Sequence, residues 1–180
     1  MVRAYNQIFW GAMLTFFNIN FGWFNLLPDF LGYIVIAMGI ENIIDMKNDD
    51  VKKSQKAHIL AWVLAIYAFA SMFIGASLDF ITSLVLTVAF LTGELIMCYF
   101  VLASGRNYVN SDYLPVQIRD YLLITTLAIA IFCFSAIIPV MANIAMLLSF
   151  VSKIYFIYLC YALKGQFTAI MDKSENINLD

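Results

Sequence analysis

The sequence predicts an all-α protein, a polytopic six-helix transmembrane bundle built from three hairpins, and three observations carry that expectation. Apolar residues make up 63% of the 180 positions and charged ones only 12%, about half the charged share of a soluble domain. Mean hydropathy is +0.87. The apolar residues gather in three stretches, about 8–44, 59–103 and 121–163, each roughly twice the ~20 residues that cross a hydrocarbon core.

A water-exposed globule holding sixteen Phe, ten Tyr and three Trp would present large apolar patches. Its solvent must be mostly lipid, so the lipid bilayer is the first partner. The apolar runs are unbroken rather than alternating with polar residues, which argues against a β-barrel. A soluble enzyme, a disulfide scaffold and a disordered chain are excluded on the same composition. A net charge of −2 gives nucleic-acid phosphates nothing to hold.

Each stretch carries turn chemistry near its middle. The breaks are Asn18 to Gly22 with Asn25 and Pro28-Asp29, then Gly75 to Asp79, then Pro139 to Asn143. The expected helices are therefore about 8–26, 28–45, 59–76, 79–103, 121–141 and 143–164, in a single transmembrane domain over about 1–165. Residues 166–180 read as a frayed, polar cytoplasmic tail. The first helix ends unusually, because Asn18 to Phe24 is too polar for a clean span and reads as unwound or re-entrant. Pro28 suits the first turn of the second helix, and Asp29 complements its dipole. Ser77 or Asp79 can cap the fourth helix. An Asp-Phe pair opens both the second and the fourth helix, at Asp29-Phe30 and Asp79-Phe80, a faint sign of hairpin duplication. Trp10, Trp23, Tyr33, Trp62, Tyr121 and Tyr161 fall near the expected interfaces, whereas Tyr67, Tyr155 and Tyr158 fall deeper, as bundle packing.

Orientation follows from the cations. Arg3 precedes the first helix, Lys47, Lys52, Lys53 and Lys56 lie between the second and third, Arg106 and Arg119 between the fourth and fifth, and Lys164 and Lys173 after the sixth. The opposite loops carry only Asp29 and Asp79. Both termini are expected in the cytoplasm of a bacterial cell membrane. No small-residue cleavage pattern follows the first apolar segment, so no removed signal peptide is expected.

Catalytic chemistry is poorly supplied. The single histidine, His58, reads as a solvated loop residue beside Lys56. Cys98, Cys133 and Cys160 stand on three different helices without a CxxC pair. No catalytic residue, metal ligand set or cofactor is assigned, and neither a Gly-rich phosphate loop nor a Gly-x-Ser-x-Gly turn occurs.

Two ionisable residues remain at membrane depth, where each costs several kcal/mol and marks a candidate site. Glu94 lies about thirteen residues from the outer end of the fourth helix and Lys153 about ten from that of the sixth, so the two could pair. Glu94 shares a stripe with Ser83, Thr87 and Cys98, and Lys153 one with Ala145, Ser149, Cys160 and Lys164. The bland reading is a charge pair that sets helix register. Glu41 reads as interfacial, close to Asp45. Asn18, Asn20 and Asp29, with Tyr33, form a second polar cluster, either a hairpin turn tied by its own amides or the mouth of an outward pocket.

The run Asn25-Leu-Leu-Pro-Asp-Phe-Leu-Gly-Tyr33 resembles a Leu-Pro-Asp-Phe-x-Gly-Tyr signature of small, uncharacterised bacterial multi-pass membrane proteins. That resemblance spans roughly residues 14–44 and implies no particular activity. In size and topology the chain is also similar to the substrate-binding subunits of energy-coupling-factor vitamin transporters, which implies an outward-opening site.

The expected function is binding or transport of a small solute or ion within the bundle, through Glu94, Lys153, Asn18, Asn20, Asp29 and Tyr33. The alternative is a non-transporting interaction subunit, an anchor or immunity-type protein. The amphipathic segment 106–120 would then dock a cytoplasmic or membrane partner. A lipid-modifying enzyme working with carboxylates alone stands third.

Overall fold

A computed structural model describes residues 1–16, 20–21, 24–25, 29–45, 51–74, 79–106, 109 and 114–177. Among them the chain forms six helices: α1 (Val2–Phe16), α2 (Asp29–Asp45), α3 (Val51–Ile74), α4 (Phe80–Arg106), α5 (Leu114–Phe134) and α6 (Val140–Ile177). Two short strands, β1 (Asn20–Phe21) and β2 (Phe24–Asn25), separate α1 from α2. Each helix packs on its neighbours in sequence and α6 returns to α1, so the bundle closes as a ring in chain order, with α4 also touching α6.

The all-α bundle is the fold the sequence predicts. Four helices, α3 to α6, are long and apolar enough to cross a membrane, and large apolar side chains such as Ile66, Phe73, Ile81 and Leu147 stand exposed along them. A lipid solvent rationalises that outward face. The first two helices are shorter. At 15 and 17 residues, α1 and α2 reach about 22 and 25 Å, less than a hydrocarbon core of about 30 Å.

The first helix stops at Phe16, well before the expected residue 26. The Asn-rich sequence beyond it pairs with itself as an antiparallel ladder, Asn20 opposite Asn25 and Phe21 opposite Phe24. Pairing satisfies backbone groups that an unwound segment would otherwise leave without partners in lipid. Phe16 packs on Phe150 with ring centroids 4.8 Å apart, and Phe150 lies ten residues into α6. The end of α1 therefore sits about 15 Å below the start of α6.

Close approach of α1 and α2 explains two glycines. A Cβ on Gly11 would lie 2.8 Å from the Gly32 carbonyl oxygen and 2.7 Å from the Ile36 side chain, and one on Gly32 would collide with the Thr15 methyl. Backbones this near exchange dispersion contacts that lipid cannot supply, the usual reason for small residues at helix crossings in membranes. Polar links also join the helices. The Gln7 side-chain oxygen accepts from Asn42 at 2.6 Å (α1 to α2), Ser54 meets Ser104 at 3.1 Å (α3 to α4), and the Tyr5 hydroxyl donates to the Val101 carbonyl at 2.8 Å (α1 to α4).

Three further helices begin or end elsewhere than expected. α3 starts at Val51 rather than 59, because Lys52, Lys53, Gln55 and Lys56 are good helix formers and Ser54, Ala57 and Ala61 continue its buried stripe. His58 consequently lies on a helix, not in a loop, and accepts a hydrogen bond from the Trp62 indole at 3.2 Å. α5 starts at Leu114 rather than 121, with Pro115 in its first turn, where the missing N–H is harmless. α6 continues through the expected frayed tail to Ile177; Gly165 interrupts it at a tolerable cost of about 1 kcal/mol, and no proline follows. The aromatic assignments change too. Tyr33 and Tyr121, expected at the interface, are only 1% and 3% exposed, whereas Tyr158, expected to be packed, is on the surface.

Candidate functional site

The two deep ionisable residues meet. Glu94 lies fourteen residues into α4 and Lys153 thirteen into α6, depths of about 21 and 20 Å from those helix starts. Lys153 Nζ is 3.4 Å from Glu94 Oε1, with the acid 14% and the base 32% exposed. The local sequence aims them. Glu94 precedes buried Cys98 by one turn, and Lys153 sits between buried Ser152 and Phe156.

The pair borders a cavity of about 30 Å3 between α4, α5 and α6, closed on its remaining side by Ala12 and Thr15 of α1 and Ile36 of α2. That is room for one or two water molecules. Hydroxyls and a thiol supply its polar wall: Thr15, Cys98, Tyr121, Thr125, Ser149 and Ser152. The Thr125 and Ser152 hydroxyls are hydrogen-bonded to each other across α5 and α6. Thr125 also donates to the Tyr121 carbonyl at 2.8 Å. Leu91, Ile129 and Phe156 form the apolar part.

Two further sequence candidates, Tyr33 and Asp29, lie on α2 outside the cavity lining. Tyr33 stands edge-on to Phe90, centroids 5.7 Å apart at 90°, and its hydroxyl lies beside the Glu94 carboxylate. Asp29 opens α2, where the helix dipole favours its charge. Asn18 lies outside the described residues. Asn20 is described only as a backbone partner of Asn25 in β1.

Glu41, read as interfacial, is exposed one turn before the end of α2. Leu114 and Ile118, part of the segment expected to dock a partner, are 2% and 6% exposed and belong to the chain's own core. Among the described residues, no three His, Cys, Asp or Glu side chains come together as a metal site. Asp79, at the far end of α4, is a plain helix cap. Its carboxylate accepts from the Thr82 backbone N–H at 3.1 Å and from the Thr82 hydroxyl at 2.6 Å, and those bonds hold its carboxyl below the ordinary range.

Sequence reasoning passed over Thr15, Tyr121, Thr125 and Ser152. Single hydroxyls inside apolar runs carry little signal, because each can satisfy itself on the carbonyl one turn earlier. The adjacency of Ser152 to Lys153 was the one available pointer.

Comparison with protein-family models, characterised proteins and solved structures finds no match for this chain. Fold and composition nonetheless define a class: an integral membrane protein of all-helical architecture.

Proposed function

We propose that this protein binds a small solute or ion at the Glu94–Lys153 site and passes it across a bacterial cytoplasmic membrane, its termini facing the cytoplasm. The observation that carries this reading is the acid–base pair at mid-helix depth lining a small cavity with hydroxyls in its otherwise apolar wall. Ionisable groups at such depth are costly and are found where they bind or move something.

Size and wall chemistry narrow the occupant. A cavity of about 30 Å3 is far below the roughly 300 Å3 at which pockets for organic ligands begin. The polar part of its wall is made of oxygen donors, the Glu94 carboxylate and the Thr15, Thr125, Ser149 and Ser152 hydroxyls, which suit a hard cation. A proton or a small monovalent cation therefore suits the site better than an organic solute.

The test is thermal stability of purified protein across a panel of monovalent cations and metabolites at fixed ionic strength. Wild type should respond to a cation, and Glu94→Gln and Lys153→Met should lose that response. Variants that keep every wild-type response place the site elsewhere.

A further inference from the structure

We infer that the seam between α1 and α6, at the end of the bundle bearing the N-terminus, binds the phosphate of an anionic phospholipid. A recess of about 590 Å3 opens there, lined by Arg3 and Asn6 of α1 and by Lys164 and Met171 of α6, with Met1 and Val2 beside them. Lys164 Nζ donates to Asn6 Oδ1 at 2.7 Å. That bond uses one of the three ammonium hydrogens and fixes the charge at the mouth of the recess.

What distinguishes this recess from a scatter of surface cations is the aromatic patch directly above it. Arg3, Asn6 and Trp10 follow one another at i, i+3 and i+7 and so share one stripe of α1. Tyr161 precedes Lys164 by three residues on α6. Phe9 joins the two helices, with ring centroids 5.5 Å from Trp10 and 6.0 Å from Tyr161. Trp10 and Tyr161 are 55% and 61% exposed. Along the seam the order is therefore cations at the terminal end, amphipathic rings about 5 to 10 Å further in, and apolar surface beyond.

A phospholipid has that same order: phosphate, glycerol backbone and ester region, acyl chain. Basic pockets between helices hold anionic headgroups, and Trp and Tyr favour the headgroup level. Free phosphate would use the cations and leave the aromatic patch without a role. The site is separate from the Glu94–Lys153 cavity and stands or falls independently of it.

The test titrates the purified full chain with phosphatidylglycerol and phosphatidylcholine of identical acyl chains, reading lipid adducts by native mass spectrometry and thermal stability in parallel. Wild type should bind phosphatidylglycerol the more tightly, each cation contributing roughly fivefold. Arg3 is exposed and outside the core, so Arg3→Gln should fold normally and lose about that factor. Arg3→Gln with Lys164→Gln should bind the two lipids alike, whereas Lys164→Arg and the distant Lys52→Gln with Lys53→Gln should keep the preference. Inorganic phosphate at matched ionic strength should give no stabilisation. Equal binding of both lipids by wild type, a preference that survives Arg3→Gln undiminished, or stabilisation by inorganic phosphate equal to that by the lipid would each overturn the inference.

Discussion

Lys153 on α6 reaches Glu94 on α4 at 3.4 Å, so the ion pair joins two helices that α5 separates in the order of the ring. The contact ties together two of the three helices that bound the cavity, and it places the only acid–base pair at that depth, among the described residues, at a cavity that the end of α1 and the middle of α2 also line. Its removal should therefore be felt both in stability and in what the cavity accepts.

Glu94→Gln or Lys153→Met alone leaves the other group partly buried without its counter-charge, and each is expected to destabilise by about 2 to 4 kcal/mol. The double variant should lose markedly less than the sum of the two. Unfolding in mixed detergent, read as a double-mutant cycle, measures the coupling. Additive losses would mean that the pair is not energetically coupled.

Gly32→Ala should destabilise by about 1 to 3 kcal/mol, since its Cβ would meet the Thr15 methyl and lie 2.8 Å from the Gly11 carbonyl oxygen. Gly165→Ala provides the contrast. Nothing lies within 4 Å of a Cβ there, and in mid-helix the change should stabilise by up to about 1 kcal/mol. Thermal melts of both variants against wild type decide the matter.

Tyr33→Phe keeps the ring on Phe90 and removes the hydroxyl beside Glu94. The expected loss of stability is about 1 kcal/mol. A larger effect is expected on cation stabilisation, because the hydroxyl shapes the surroundings of the carboxylate. A variant that melts and responds as wild type does would remove Tyr33 from the site.

Asp79 gives a pH signature. Its folded carboxyl is held below the ordinary range by Thr82, so folding favours the ionised form. The contribution is present above about pH 4, the unfolded value, and is lost as pH falls through the lower folded value. Asp79→Ala should therefore melt below wild type near neutrality, and the two curves should converge in strong acid. A difference that grows on acidification would contradict the cap.

The class of fold was legible because lipid imposes long apolar runs, and the pairing of Glu94 with Lys153 because charges at depth are rare and their heights can be counted along a helix. Helix ends were less legible. Residues 51–58 and 114–120 read as loops by polarity, yet Ser54, Leu114 and Ile118 enter the core through contacts that only tertiary structure supplies. Tyr33 reads as interfacial by its position in the sequence, yet it is buried and packs edge-on to Phe90 of α4. The hydroxyl wall of Thr15, Thr125 and Ser152 could not be read at all, because its members come from three helices distant in sequence.

The central claim is that the Glu94–Lys153 cavity takes a small cation, and its most direct test is flux into proteoliposomes under imposed proton, sodium and potassium gradients. Wild type should move one of these cations faster than empty liposomes do, while equally well-reconstituted Glu94→Gln and Lys153→Met fall to the empty-liposome rate. Wild type no faster than empty liposomes, or variants as fast as wild type, would contradict it.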